Sequence, residues 1–255
     1  MRYFIEISYK GTAYSGWQIQ KNALSVQEVI EKALSVSLRE KIEIVGSGRT
    51  DTGVHALQQF AHFDYSSPLP LQILRTWNAL LPSDISILNL YEVSPEAHSR
   101  FNAIRRTYQY RIVQHKNSFL QGLAYYFPQR LEIEAMQEAS QILLQYEDFE
   151  SFSKIKADTP HFKCKIMEAF WQKQRDCISG QDLLIFQVSA NRFLWGMVRA
   201  IVGTLLDVGK GKLKVEDFEE IIKARDRSKA SAAAPSCGLY LSKVEYPFNL
   251  YSINI

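Results

Sequence analysis

The sequence predicts an α+β protein made of two similar α/β halves, each with a mixed, mostly antiparallel sheet and helices on one face. Three observations predict this. Residues with strand-like alternation recur along the chain. Apolar residues at helical spacing are interleaved with them. The order of these elements in residues 1–100 corresponds to their order in residues 101–255. With 255 residues, 46% of them hydrophobic, the chain can bury a sizeable core in one large domain or two smaller ones. The boundary is placed near residue 100, where no Gly/Ser/Pro linker marks it.

In the first half, Tyr3, Ile5, Ile7 and Tyr9 alternate with Phe4, Glu6 and Ser8, the period of a strand. Ser25 reads as a helix N-cap, and Glu28 three residues on completes the pattern of a capping box. Val26, Val29, Ile30, Ala33 and Leu34 follow at helical spacing. Residues 42–45 and 57–65 read as strands on either side of a glycine-rich loop. A helix is expected over 71–81, ended by Pro82, and a strand over 85–93. The order is β-α-β-β-α-β.

The second half runs similarly. A strand over 107–114 places Tyr108, Tyr110 and Ile112 on one face and Thr107, Gln109, Arg111 and Val113 on the other. A helix over 133–146 carries Met136, Ala139, Ile142 and Leu143 on one side. Strands are expected over 162–175 and 183–189, joined near Ser179-Gly180. Then come an apolar helix over 194–208 closed by Gly209, a charged amphipathic helix over 215–225, and a last strand over 239–246.

Net charge is +3, too weak to indicate a nucleic-acid partner by itself. Clustering is more informative. Arg100, Arg105, Arg106, Arg111 and Lys116 form one basic stretch, Lys210, Lys212 and Lys214 a second, and Lys223, Arg225, Arg227 and Lys229 a third. Each alone reads as a solvated face; together they suggest a surface for phosphates. The three cysteines, Cys164, Cys177 and Cys237, provide neither a disulfide framework nor a C-x-x-C pair for structural zinc. The amino-terminal run is interrupted at Glu6 and reads as a strand, not a signal peptide, and no apolar segment is long enough to span a membrane. A soluble cytoplasmic protein is expected.

The loop Gly46-Ser47-Gly48-Arg49-Thr50-Asp51-Thr52-Gly53-Val54-His55 concentrates a cation, a carboxylate and an imidazole among three glycines. Glycine permits a tight backbone there. The loop reads either as a turn in which Asp51 bonds its own backbone or as a catalytic platform. Arg199, on the apolar helix among Met197, Val198, Ile201 and Val202, either pairs with an anion or reaches out to water. Tyr108 lies beside Arg105 and Arg106, a combination suited to base stacking with phosphate contact, and equally to a cross-strand contact.

Gly48-Arg49-Thr50-Asp51-Thr52-Gly53-Val54-His55-Ala56 resembles the signature of the tRNA pseudouridine synthase A family. Further matches follow in order: Tyr9-Lys10-Gly11-Thr12-Ala13-Tyr14-Ser15-Gly16-Trp17-Gln18-Ile19-Gln20 near the start, and Ser99-Arg100-Phe101-Asn102-Ala103 with Arg106-Thr107-Tyr108-Gln109-Tyr110 in the middle. Phe193, Met197-Val198-Arg199 and Ile201-Val202-Gly203 resemble the family's late helix, and Ala233-Ala234-Pro235 with Gly238-Leu239-Tyr240-Leu241 its last strand. The likeness covers nearly the whole chain.

The resemblance implies two α/β halves with a central RNA-binding cleft. It implies isomerisation of uridines 38–40 in the tRNA anticodon arm by a homodimer, without metal or cofactor. Such a reaction breaks the C–N glycosidic bond, turns the uracil over and rejoins it through carbon. By resemblance Asp51 is the nucleophile or base, Arg199 pairs with it and favours its ionised form, and Tyr108 stacks on the uracil of a flipped-out nucleotide. Arg49, Thr50 and His55 are implied as substrate contacts, with Leu239 or Leu241 closing against the base. Tyr14, Trp17 and Gln18 are candidates for shaping the substrate entrance as well as for turn or core roles. Leu194-Trp195-Gly196 departs from the family's polar or basic pattern. Three rivals remain: an RNA-binding protein of this fold without catalysis, a pseudouridine synthase for another RNA, and a metal-dependent hydrolase using Asp51, His55 and His62.

Overall fold

The computed structural model describes residues 1–70, 72–154 and 159–252. They form an α+β protein with mostly antiparallel strand pairing, divided into two compact units. The first comprises Met1–Ile104 and returns from Tyr240 onward; the second is Arg105–Leu239.

The first unit has β1 (Arg2–Tyr9), α1 (Val26–Leu38), β2 (Val45–Gly46), β3 (His55–Asp64), α2 (Ile73–Leu80) and β4 (Ile85–Val93). The strand order is β4-β1-β3, with β2 antiparallel on β3. The chain's last strand, β9 (Leu239–Glu245), joins β3 in parallel, His55 opposite Tyr240 and Ala56 opposite Leu241. β1 is central and buried on both faces. Its one face packs Tyr3 against Phe63, and Phe63 meets Trp77 of α2. On its other face Phe4 meets Tyr246, whose ring also lies against Phe60 and whose hydroxyl donates to the Ser99 carbonyl.

That face also buries Glu6. A buried carboxylate is tolerated only when its oxygens are satisfied. Here Gln58 donates at 2.7 Å, Asn89 at 2.8 Å and the Tyr91 hydroxyl at 2.6 Å, so Glu6 ties β1 to both neighbouring strands.

Ser25 caps α1, its hydroxyl accepting the Glu28 N–H at 3.2 Å. The strand expected over 42–45 is shorter: only Val45 and Gly46 pair with β3. The preceding backbone is satisfied by α1 side chains, Ile42 N–H bonding to Ser35 Oγ and Ile44 N–H to Glu31 Oε1, both at 2.9 Å. Leu81 takes an extended conformation after α2, as the residue before Pro82 must. Leu71, at the start of the helix expected over 71–81, lies outside the described residues.

The second unit contains β5 (Arg105–Val113), β6 (Tyr125–Tyr126), α3 (Ile133–Ile142), β7 (Ile166–Arg175), β8 (Asp182–Ala190), α4 (Met197–Gly209) and α5 (Val215–Ala224). β5, β8 and β7 are antiparallel neighbours in that order, and β6 adds in parallel to β5. α3 packs on α4, α5 and β7. Trp171 of β7 donates its indole N–H to Ser140 of α3 at 3.0 Å.

The expected strand over 162–175 begins only at Ile166. Before it, Cys164 N–H bonds to the Glu147 carbonyl and the Phe162 carbonyl accepts from Phe149, so this stretch is held by the 147–149 segment. α4 starts at Met197, three residues later than expected. Gly196 precedes it at φ 74°, a left-handed conformation that suits glycine and lies outside the helix. Gly209 does not close α4 by its conformation; a Cβ there would meet the Met136 sulfur at 2.4 Å, and Gly211 takes the left-handed turn at φ 71°. At the start of α5, Asp217 Oδ2 accepts the Lys214 N–H at 2.8 Å.

Candidate active site

The loop between β2 and β3 is shaped by the amino-terminal motif. Trp17 N–H donates to the Thr50 carbonyl at 3.1 Å and Gly53 N–H to the Tyr14 carbonyl at 3.3 Å. The Tyr9 hydroxyl bonds to Thr50 Oγ1 at 2.8 Å, and Val54 N–H returns to the Asp51 carbonyl at 3.1 Å. Gly16 sits at φ 91°, where a Cβ would lie 2.4 Å from the Thr50 oxygen. A side chain at Gly11 would strike the Val54 carbonyl at 1.9 Å. Trp17 and Tyr14 are themselves buried, and Trp17 packs where a Gly46 side chain would stand. The motif residues therefore brace the loop from beneath.

Ser47 is fixed as well. Its N–H donates to the Phe60 carbonyl at 2.7 Å, its hydroxyl to Gln59 Oε1 at 2.6 Å, and Gln59 Nε2 reaches the Gly48 carbonyl at 2.9 Å. On this frame Thr50 is buried, Asp51 is half-buried and Arg49 is exposed. Asp51 thus stands on an immobilised backbone with its residue still in reach of solvent.

His55 opens β3 and is buried. Its Nδ1 accepts the Gly11 N–H at 3.1 Å, which places the hydrogen of the neutral ring on Nε2, and the ring stacks on Tyr240 at 4.6 Å. His62 is engaged elsewhere, with Nδ1 2.9 Å from Ser99 Oγ. Among the described residues no three His, Cys, Asp or Glu side chains are grouped to hold a metal ion.

In the second unit, Arg199 on α4 is half-buried. Its Nε donates to the Ala234 carbonyl at 2.7 Å, and Ala234 N–H donates back to the Arg199 carbonyl at 2.9 Å. The strap 231–234 approaches α4 closely because position 203 is glycine; a Cβ there would lie 1.9 Å from the Ala232 oxygen. Tyr108 and Tyr110 share a face of β5. Tyr108 meets Phe193 edge-on at 5.0 Å. Tyr110 is fully buried, its hydroxyl donating to the Pro235 carbonyl at 2.7 Å, and burial raises its pKa. Leu239 and Leu241 are both buried. The roles of Ala234, Pro235 and Gln59 as braces carry no local sequence signal, since each acts on residues 11 or more positions away.

The basic stretches are largely engaged within the protein. Lys210 pairs with Asp207, Lys223 with Glu219 and Glu220, and Arg225 with Asp148. Arg105 pairs with Glu168 at 2.5 Å.

A family model described as tRNA pseudouridine synthase matches residues 6–102 and 139–247. The chain is similar to a protein named tRNA pseudouridine synthase A from Bacteroides thetaiotaomicron, 47% identical over 253 residues, 98% of this chain and 93% of that one. A protein of the same name from Parabacteroides distasonis is 44% identical over 254 residues, 99% of this chain and 98% of that one. Another, from Bacteroides fragilis, is 46% identical over 252 residues, 98% of each. This α+β chain with its braced carboxylate loop thus falls among RNA-modifying enzymes, and it belongs to the tRNA pseudouridine synthase family. Among the described residues no helix is long and apolar enough to cross a membrane.

Proposed function

We propose that this protein is an isomerase that converts uridine to pseudouridine in tRNA, at positions 38–40 of the anticodon stem-loop. The observation that carries the reading is the full-length relationship to proteins named tRNA pseudouridine synthase A, with the Asp51 motif intact. Asp51 is the nucleophile that opens the glycosidic bond. The freed uracil turns, its C5 bonds to C1′ of the ribose, C5 gives up its hydrogen and N1 is left protonated. Atoms and electrons balance without an oxidant, reductant or energy donor.

Tyr108 stacks on the uracil, and Arg199 favours ionised Asp51. Arg49, Thr50 and His55 support the substrate side, Arg49 through phosphate and His55 by holding the loop through Gly11. Leu239 and Leu241 form the apolar wall for the base. The protein works in the cytoplasm as a homodimer, one protomer holding the tRNA body while the other acts.

The test is tritium release from tRNA labelled at uracil C5, with wild type and Asp51→Asn compared in EDTA. C5 loses its hydrogen only if the ring is rejoined there. Release by wild type alone supports the reading. No release from any anticodon-arm uridine overturns the assigned substrate.

A further inference from the structure

We propose that Trp195 and Lys154 form a contact for an unpaired nucleotide of the RNA substrate, the indole stacking on its base and the ammonium meeting its phosphate. This rests on the RNA-modifying function proposed above. Trp17, Trp77 and Trp171 are buried, whereas Trp195 is 56% exposed. Lys154 Nζ lies 3.5 Å from the centre of the Trp195 ring, and Lys154 N–H donates to the Trp195 carbonyl at 3.1 Å. The pair is thus held together by backbone as well as by cation–π attraction. At Gly196, which follows, a Cβ would meet nothing within 4 Å among the described residues.

The surroundings select the occupant. Among the described residues Leu194 is buried and Phe193 is packed on Tyr108, so neither extends an apolar patch from the indole of the kind a protein or lipid partner requires. Basic residues gather instead around the segment that leads into this turn: Arg106 donates to the Asn191 carbonyl at 3.0 Å, the backbone N–H of Lys165 to Asn191 Oδ1 at 2.8 Å, and Arg192 reaches Thr159 and His161. Two carboxylates on flanking segments, Asp148 and Glu168, are engaged with Arg225 and Arg105. An exposed aromatic ring among cations fits a single nucleotide step, because every base offers a π-face and every phosphate a charge.

The test measures binding of an unmodified tRNA transcript together with tryptophan fluorescence. With the other three indoles buried, acrylamide quenching reports chiefly on Trp195. Saturating tRNA is expected to shield it from acrylamide. Trp195→Ala is expected to weaken tRNA binding and raise KM about 5- to 150-fold with kcat unchanged, while Trp195→Phe retains most of the affinity. Lys154→Met is expected to lower the salt slope of binding by about one. Unchanged quenching at saturating tRNA, or Trp195→Ala affinity within twofold of wild type, overturns the contact. Shielding without tritium release from the wild type sustains the contact and sinks the proposed activity. Tritium release with unchanged KM in Trp195→Ala does the reverse.

Discussion

Arg199 and Ala234 hold one another by two hydrogen bonds that run in opposite directions, side chain to carbonyl and amide to carbonyl, across 35 residues of chain. The first fixes the guanidinium plane. Lysine has no Nε–H fork to reproduce this. Arg199→Lys is therefore expected to lose one hydrogen bond, about 1 kcal/mol or 2–4 °C in Tm, and to lower turnover at least about tenfold. Calorimetry and tritium release measure the two effects. Full turnover in this variant would show that the bond to Ala234 is not what positions this cation for catalysis.

Asp51→Asn keeps the shape of the side chain and the hydrogen bond its carbonyl accepts from Val54. Turnover is expected to fall at least about a thousandfold, since the amide is not a nucleophile. tRNA affinity should stay within a few-fold of wild type in a filter-binding assay. Wild-type turnover would end the role assigned to Asp51.

Tyr108 and Tyr110 are two residues apart on one strand face, yet their hydroxyls are expected to matter differently. Tyr110→Phe strands the Pro235 carbonyl and should cost about 1–3 kcal/mol in denaturant unfolding. Tyr108→Phe keeps the edge-on contact with Phe193, and turnover should fall through loss of the hydroxyl, for which the family resemblance implies a part in proton transfer at the ring carbon. Tyr108→Leu should also weaken tRNA binding. Wild-type kinetics in both Tyr108 variants would make that residue structural.

Gly16→Ala tests the brace under the loop. A Cβ at φ 91° is strained and would press on the Thr50 carbonyl. Loss of about 1–3 kcal/mol of stability is expected, with turnover falling more than tRNA affinity. A variant as stable and active as wild type would mean the loop is not held from Gly16.

Acid sensitivity is expected from His62. Burial, then the charges of His98 and Arg2, push its imidazole from 6.5 down to about 4. The unfolded chain takes up this proton as pH falls through 6.5, while the folded protein resists until about 4. The group's contribution is therefore full above pH 6.5, declines between 6.5 and 4, and amounts to up to about 3 kcal/mol. His98, lowered by burial and by Arg2 and Arg100, acts in the same direction. His62→Gln should flatten stability against pH across this window. An unaltered profile would locate the acid sensitivity elsewhere.

Much of this was legible in the sequence because it is local. Alternation marks β1, spacing and Ser25 mark α1, Pro82 marks the end of α2, and the Asp51 motif with its companions marks the family. Where local pattern misled, distant partners had taken the backbone: α1 side chains serve residues 42–44, and the 147–149 segment serves Cys164. The glycines show the division well. Their presence in the family motifs is a fact of sequence, but Gly11, Gly16 and Gly203 are required because Val54, Thr50 and Ala232 carbonyls press against them. The same holds for Glu6, whose three donors lie on two other strands, and for the return of β9 to the first unit. Sequence by itself determined most of the elements and the family to which the chain belongs, since propensity, period and motif act over a few residues. Tertiary structure alone decided what holds Asp51, Arg199 and Tyr108 in place, because close packing and hydrogen-bond satisfaction join residues tens to hundreds of positions apart.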